Sequence, residues 1–156
     1  MPEADPTRIV ADADVLAADL LVGGASRAAL DHVRAHSWLT LVASDELLAD
    51  AEAVIAALSE HSLATDWRER IDARREGVEQ PEGDHPGLAS AYRGGCAHLL
   101  TFDDRLGSAA GNLSVQAHMQ VSIRTPDAFT QLFDAAALYE ATHDDSYPGR
   151  DREPRA

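Results

Sequence analysis

Ile9-Val10-Ala11-Asp12-Ala13-Asp14-Val15-Leu16 is the stretch on which the reading of this chain turns. Arg8 to Ala11 reads as a short buried strand, and Val15, Leu16, Leu20 and Leu21 follow it near helical spacing. A strand that hands over to a helix through Asp-x-Asp leaves two carboxylates at its carboxyl end. Two further apolar runs do the same. Leu39 to Ala43 is followed by Ser44-Asp45-Glu46 and, on the next helix, Asp50; His98 to Thr101 is followed by Phe102-Asp103-Asp104. In an open α/β sheet the carboxyl ends of the strands frame the ligand crevice, so acids from three strands are expected to converge there. Converging carboxylates repel unless something cationic sits among them, and a hard divalent metal suits oxygen ligands.

The sequence around these runs alternates strand and helix. Gly23-Gly24 breaks the first helix, and Ser26 is expected to cap a second that turns Ala29, Leu30 and Val33 inward. Trp38 to Ala43 is the second strand. Ser44 then caps a helix with acids in its first turn, where they suit the helix dipole. Ser62 to about Val78 is expected as a further charged helix, with Leu63, Trp67, Ile71 and Val78 on its apolar side. Gln80 to Pro86 is a loop, and Pro86 opens a helix that stops at Gly94-Gly95. Leu99 to Thr101 forms a third strand and Met119 to Ile123 a fourth. Thr125 and Pro126 then start a terminal helix that buries Phe129, Leu132, Phe133 and Leu138. The expectation is an α/β fold, three-layer α/β/α, with a mostly parallel central sheet of four or five strands. One domain would cover residues 8–142, between a flexible lead (1–7) and a disordered acidic and polar tail (143–156).

Composition narrows the chemistry. The 156 residues carry 27 acids against 13 bases, a net charge of −14, and every base is Arg. Such a surface resembles adaptation to a salt-loving cytoplasm, where self-repulsion is screened. Acid count is therefore no evidence for a metal site; placement is. The absence of Lys excludes a P-loop lysine, a Schiff base and a receiver-domain lysine. Cys96 stands alone, which excludes an intrachain disulfide and a cysteine-rich zinc site, and it reads as a small buried residue. No apolar stretch approaches a membrane span and no signal-like segment opens the chain, so a cytoplasmic location is expected.

Taken together, the segments resemble the PIN domain family. Ile9 to Leu16 is similar to its opening strand, and Leu41 to Asp50 to its second signature: a strand, Ser, and a helix bearing an acid six residues later. Asp84-His85-Pro86-Gly87-Leu88 resembles the third, an Asp opening a short helix. His98 to Leu106 resembles the fourth, Thr-x-Asp before an apolar residue, and Val121 to Phe129 the closing strand and Thr-Pro-x-x-Phe helix start. The likeness covers roughly residues 8–138 in order. It departs from the family at Asp50, where Glu is usual. It implies a Mg²⁺- or Mn²⁺-dependent endoribonuclease with Asp12, Asp84, Asp103 and Asp50 as catalytic and metal-ligating acids. Asp14, Ser44 and Thr101 would support them. RNA would be the substrate, in an RNA-processing enzyme or a toxin held by an antitoxin protein, and a homodimer would be in keeping with the family.

Other readings fit some of the same letters. Asp12 and Asp84 can be plain helix caps, Asp103 a turn former and Asp50 solvated surface. Asp45, Glu46 and Asp104 read as surface, and His85 as a solvated loop histidine. Arg27, Arg93 and Arg105 are candidates for phosphate contact, but the sequence shows no basic patch. Asp12-x-Asp14 after a strand also resembles the first motif of haloacid-dehalogenase-type phosphatases, with Asp12 as nucleophile; the missing Lys and the short chain count against it. A third possibility is a PIN fold kept as a binding or assembly module with a weakened site.

Overall fold

A computed structural model describes residues 4–79, 85–103 and 121–154. Five strands, all parallel, form one sheet in the order β3-β2-β1-β4-β5: β1 Asp5–Ala11, β2 Thr40–Ser44, β3 Glu76–Val78, β4 Cys96–Leu100 and β5 Ser122–Arg124. Seven helices are seen among the described residues: α1 Ala13–Leu21, α2 Gly24–Arg34, α3 Asp45–Leu58, α4 His61–Asp72, α5 Pro86–Arg93, α6 Pro126–Leu132 and α7 Ala135–Thr142. The arrangement is the expected three-layer α/β/α fold.

The core explains why the central strands read as continuous apolar runs. Parallel strands covered on both faces bury side chains on either face, and most of the carboxyl halves of these strands are buried. Ile9, Val10, Val42, Leu99 and Leu100 are fully buried, and Val15, Leu16, Leu47, Leu48 and Ile55 close over them from α1 and α3. Local signals set the helix ends. Ser44 Oγ accepts from Leu47 N at 3.1 Å to cap α3, and Thr125 Oγ1 accepts from Ala128 N at 3.2 Å to cap α6, with Pro126 at its first position. Gly94 ends α5 where a Cβ would come within 2.6 Å of Val42 Cγ1, so only glycine lets α5 turn back this close to β2. Cys96 is buried, and burial pushes its thiol up to about 12, which leaves it inert.

Several expectations change. The helix foreseen from Ser62 to Val78 ends at Asp72, and Glu76–Val78 forms an edge strand paired with Val42–Ser44. Gly77 is a poor helix residue, and Val78 has strand preference. Trp67 is buried in the core, and Leu63, Ile71 and Val78, partly buried, pack against it. The terminal helix splits at Phe133. Asp134 caps a separate α7, its Oδ1 accepting from Ala137 N at 3.0 Å, and Leu132 is left exposed. The second helix starts at Gly24, and Ser26 is buried within it rather than capping it. β1 already begins at Asp5, inside the expected flexible lead, with Asp5 N bonded to Gly95 O.

The segment after α7, expected as a disordered tail, folds back on the domain. Tyr147 Oη lies 2.6 Å from His36 Nε2, and Asp151 accepts from the backbone and hydroxyl of Ser37 while its own N–H bonds Ala35 O. Trp38, read as part of the second strand, packs edge-on against Tyr139 and His143. Asp104, Arg105 and the start of the fourth strand at Met119 lie outside the described residues.

Candidate functional site

Strand order places the crevice. From β1 the chain moves outward to β2 and β3, then returns to the other side of β1 for β4 and β5. The reversal falls between β1 and β4, and the carboxyl ends of strands at such a point are where open α/β sheets bind ligands. Register then brings two sequence-distant segments together. Ala11 pairs with Leu100, and Asp12 N donates to Leu100 O at 2.8 Å, so Asp12 and Thr101 leave the sheet side by side.

A single hydroxyl joins the acids there. Thr101, 3 % exposed, donates its Oγ1 hydrogen to Asp12 Oδ2 at 2.9 Å and accepts from Asp103 N at 3.1 Å. Asp12 is 8 % exposed and also caps α1, its Oδ1 accepting from Ala13 N at 2.9 Å. Capping and site placement are thus compatible in one residue. Asp14 accepts from Val15 N through Oδ1 (2.7 Å) and from Phe102 N through Oδ2 (3.2 Å), which ties α1 to the end of β4. Burial raises the Asp14 carboxyl above its ordinary value, and the charges of Asp12 and then Asp103 push it further up, against those two backbone bonds. The three acids therefore share one electrostatic environment.

The opposite wall is the start of α5. His85 caps this helix, with Nδ1 accepting from Gly87 N at 3.1 Å and Leu88 N at 3.4 Å. An accepting Nδ1 leaves the proton on Nε2, the nitrogen 3.8 Å from Asp12 Oδ2. Gly87 permits this approach: a Cβ there would lie 3.1 Å from Asp12 Oδ1 and 3.2 Å from His85 Cε1. Ser44 is fully buried, and its N–H donates to Ser90 Oγ at 3.0 Å, which fastens the end of β2 to α5.

The expected acids divide accordingly. Asp12 and Asp103 meet through Thr101, with Asp14 beside them. Asp50 is exposed on the second turn of α3. Asp84 lies outside the described residues. Among the described residues no three acidic, histidine or cysteine side chains are already set to hold a metal ion. Asp45 and Glu46 are exposed, as expected; Arg75 and then Arg68 hold the Asp45 carboxyl below its usual range. His85, read as a solvated loop residue, is a wall of the site. Pro86 carried the missed signal, since a proline at the first helical position makes its predecessor the cap.

Comparison with curated proteins and with solved structures returned no match. A family model described as a family of unknown function (DUF7384) matches residues 3–155, and the chain belongs to that family.

Proposed function

We propose that this DUF7384 member is a PIN-like, metal-dependent endoribonuclease whose centre is the crevice between β1 and β4. The observation that carries the reading is the Asp12–Thr101–Asp103 linkage at the point where the strand order reverses. The donors fit Mg²⁺ or Mn²⁺, because they are carboxylate oxygens and these cations commonly use one or two carboxylates plus waters and phosphate. Asp12 and Asp103 would hold the ion; Asp84 and Asp50 are the further acids that the family resemblance supplies. Bound there, a divalent metal would make hydroxide available near neutral pH and offset charge gathering on the phosphate.

The chain's own groups do the rest. Thr101 fixes Asp12 Oδ2 and the backbone of Asp103, so the Asp12 carboxylate and the main chain that carries Asp103 do not have to be ordered when substrate arrives. Asp14 clamps Phe102 and keeps the end of β4 against α1. His85 presents an Nε2 proton beside Asp12, where it can donate to a phosphate oxygen. The exposed position of Asp50 favours, as a second reading, a PIN fold with a weakened site that binds without cleaving. A toxin, processing or dimeric role for either form is set by its partners.

Incubating single-stranded RNA with the protein and Mn²⁺ in multimolar KCl separates the two readings. Cleavage that EDTA abolishes and that leaves no 2′,3′-cyclic phosphate supports hydrolysis by water. RNA retention without cleavage supports the binding module, and cyclic phosphate ends would mean attack by the ribose hydroxyl and a different mechanism.

A further inference from the structure

The arginines of this acidic chain are gathered rather than spread. Five of the thirteen, Arg27, Arg34, Arg70, Arg74 and Arg152, line one cleft of about 720 Å³. It forms where the end of α1, α2, the approach to β2, the last turn of α4 and the C-terminal segment meet. Asp19 and Leu20 border it, so it lies toward the end of α1 remote from Asp12. The residues are far apart in sequence, and no run of bases announces them.

Two of the five maintain the fold. Arg34 makes a two-pronged pair with Asp19 (2.7 and 2.8 Å) and also binds Asp31. Arg27 donates to the Asp19 and Leu20 carbonyls at 3.0 and 3.1 Å and so caps α1. Arg70 and Arg152 differ: neither side chain has a hydrogen bond or salt bridge with any described residue, and Arg152 acts only as a nearby charge on the exposed Asp151 carboxyl. This is not for want of acids. Arg68 and Arg75, from the same helix and the turn after it, take Asp45, Glu52 and Asp72 between them, while Arg70 is left facing the cleft. Between the arginines lie apolar side chains, among them Leu30, Val33, Trp67 and Ile71.

We propose that this cleft binds a small organic phosphate of nucleotide size, with Arg70 and Arg152 on the phosphoryl group and the apolar residues under its body. Small-molecule sites are concave, roughly 300–1,000 Å³, and mix apolar walls with a few well-placed charges. A guanidinium matches phosphate in geometry and stays charged. Asp19 and Glu153 also line the cleft, so a compact anion that meets only the arginines suits it better than a long polyanion running past those acids. A compact anion feels mainly the local arginines. The site does not depend on the nuclease reading, because it uses none of the same residues.

Calorimetric titration of the metal-free full chain, in EDTA and about 0.2 M KCl, tests it with adenosine monophosphate as probe. Single-site binding is expected, weakened at least about tenfold in the Arg70→Ala/Arg152→Ala double variant. Arg68→Ala and Asp12→Asn should bind as the wild type does, which separates this site from the acidic crevice. Both changed arginines are exposed, so the variant should fold, and circular dichroism verifies that it has. Adenosine, inorganic phosphate and a Glu-rich peptide are titrated separately. Absence of binding at millimolar nucleotide, or equal binding by the double variant, overturns the proposal. So does a preference for the peptide, or for inorganic phosphate over the nucleotide.

Discussion

At the scale of single residues, the hydroxyl of Thr101 matters more than its size suggests. It is buried, donates to one acid and holds the backbone of another. Thr101→Val keeps the shape but leaves Asp12 Oδ2 and Asp103 N without that partner. A loss of about 1–2 kcal/mol in stability is expected from the unpaired groups. Metal affinity or cleavage should fall about 10–100-fold, as when a ligand loses its orienting bond. Thr101→Ser should restore most of both, and failure of Ser to rescue would show that the methyl group, not the hydroxyl, is what counts. Asp12, Thr101 and Asp103 were legible in the sequence because each follows an apolar run, and strand ends are where a parallel sheet opens its crevice. His85 was not, because its role depends on which ring nitrogen faces the helix. Asp50 was legible only as a spacing along α3, and there its side chain is exposed.

Elements show why some of the fold was harder to read. Residues 9–11 of β1, 41–43 of β2 and 99–100 of β4 are buried and announce themselves as apolar runs. β3 lies at the sheet edge with Glu76 and Gly77 exposed, so it has no such run and was merged with the helix before it. The same interior strands carry a pH dependence. On β4, His98 packs edge-on against Phe129 with its Nδ1 buried and unpartnered. Burial, and then Arg124, lowers its pKa below the usual value. The unfolded chain thus takes up this proton more readily than the folded one. The contribution to stability is full above about pH 6.5 and is lost as pH falls through the lowered folded value. His32, lowered by burial and by Arg150 and His36, acts in the same direction. Urea denaturation across about pH 7 to 5 should therefore show falling stability. His98→Phe, which keeps the ring contact with Phe129, should flatten that slope; an unchanged slope would place the titration elsewhere.

For the whole molecule, charge and topology make separate demands. A net charge of −14 on 156 residues repels itself, and salt shortens the reach of that repulsion to about 3 Å at 1 M. The melting temperature should rise steadily with KCl into the molar range, whereas a flat or falling trend would contradict the salt-adapted reading. The C-terminal segment should share in that transition, because Tyr147 and Asp151 hold it to the end of α2. Composition foretold the charge but not its arrangement, since five arginines converge on one cleft only through long-range packing. Topology sets the ends of two apolar runs, β1 and β4, side by side with their acids, and the central claim is that this crevice cleaves RNA with a divalent metal. The most direct measurement compares cleavage of single-stranded RNA in molar KCl and Mn²⁺ by the wild type and by Asp103→Asn, each shown to be folded. Cleavage by the wild type that falls by about 100-fold or more in the variant is the expected result. Equal cleavage by both proteins, or none by the wild type, would contradict it.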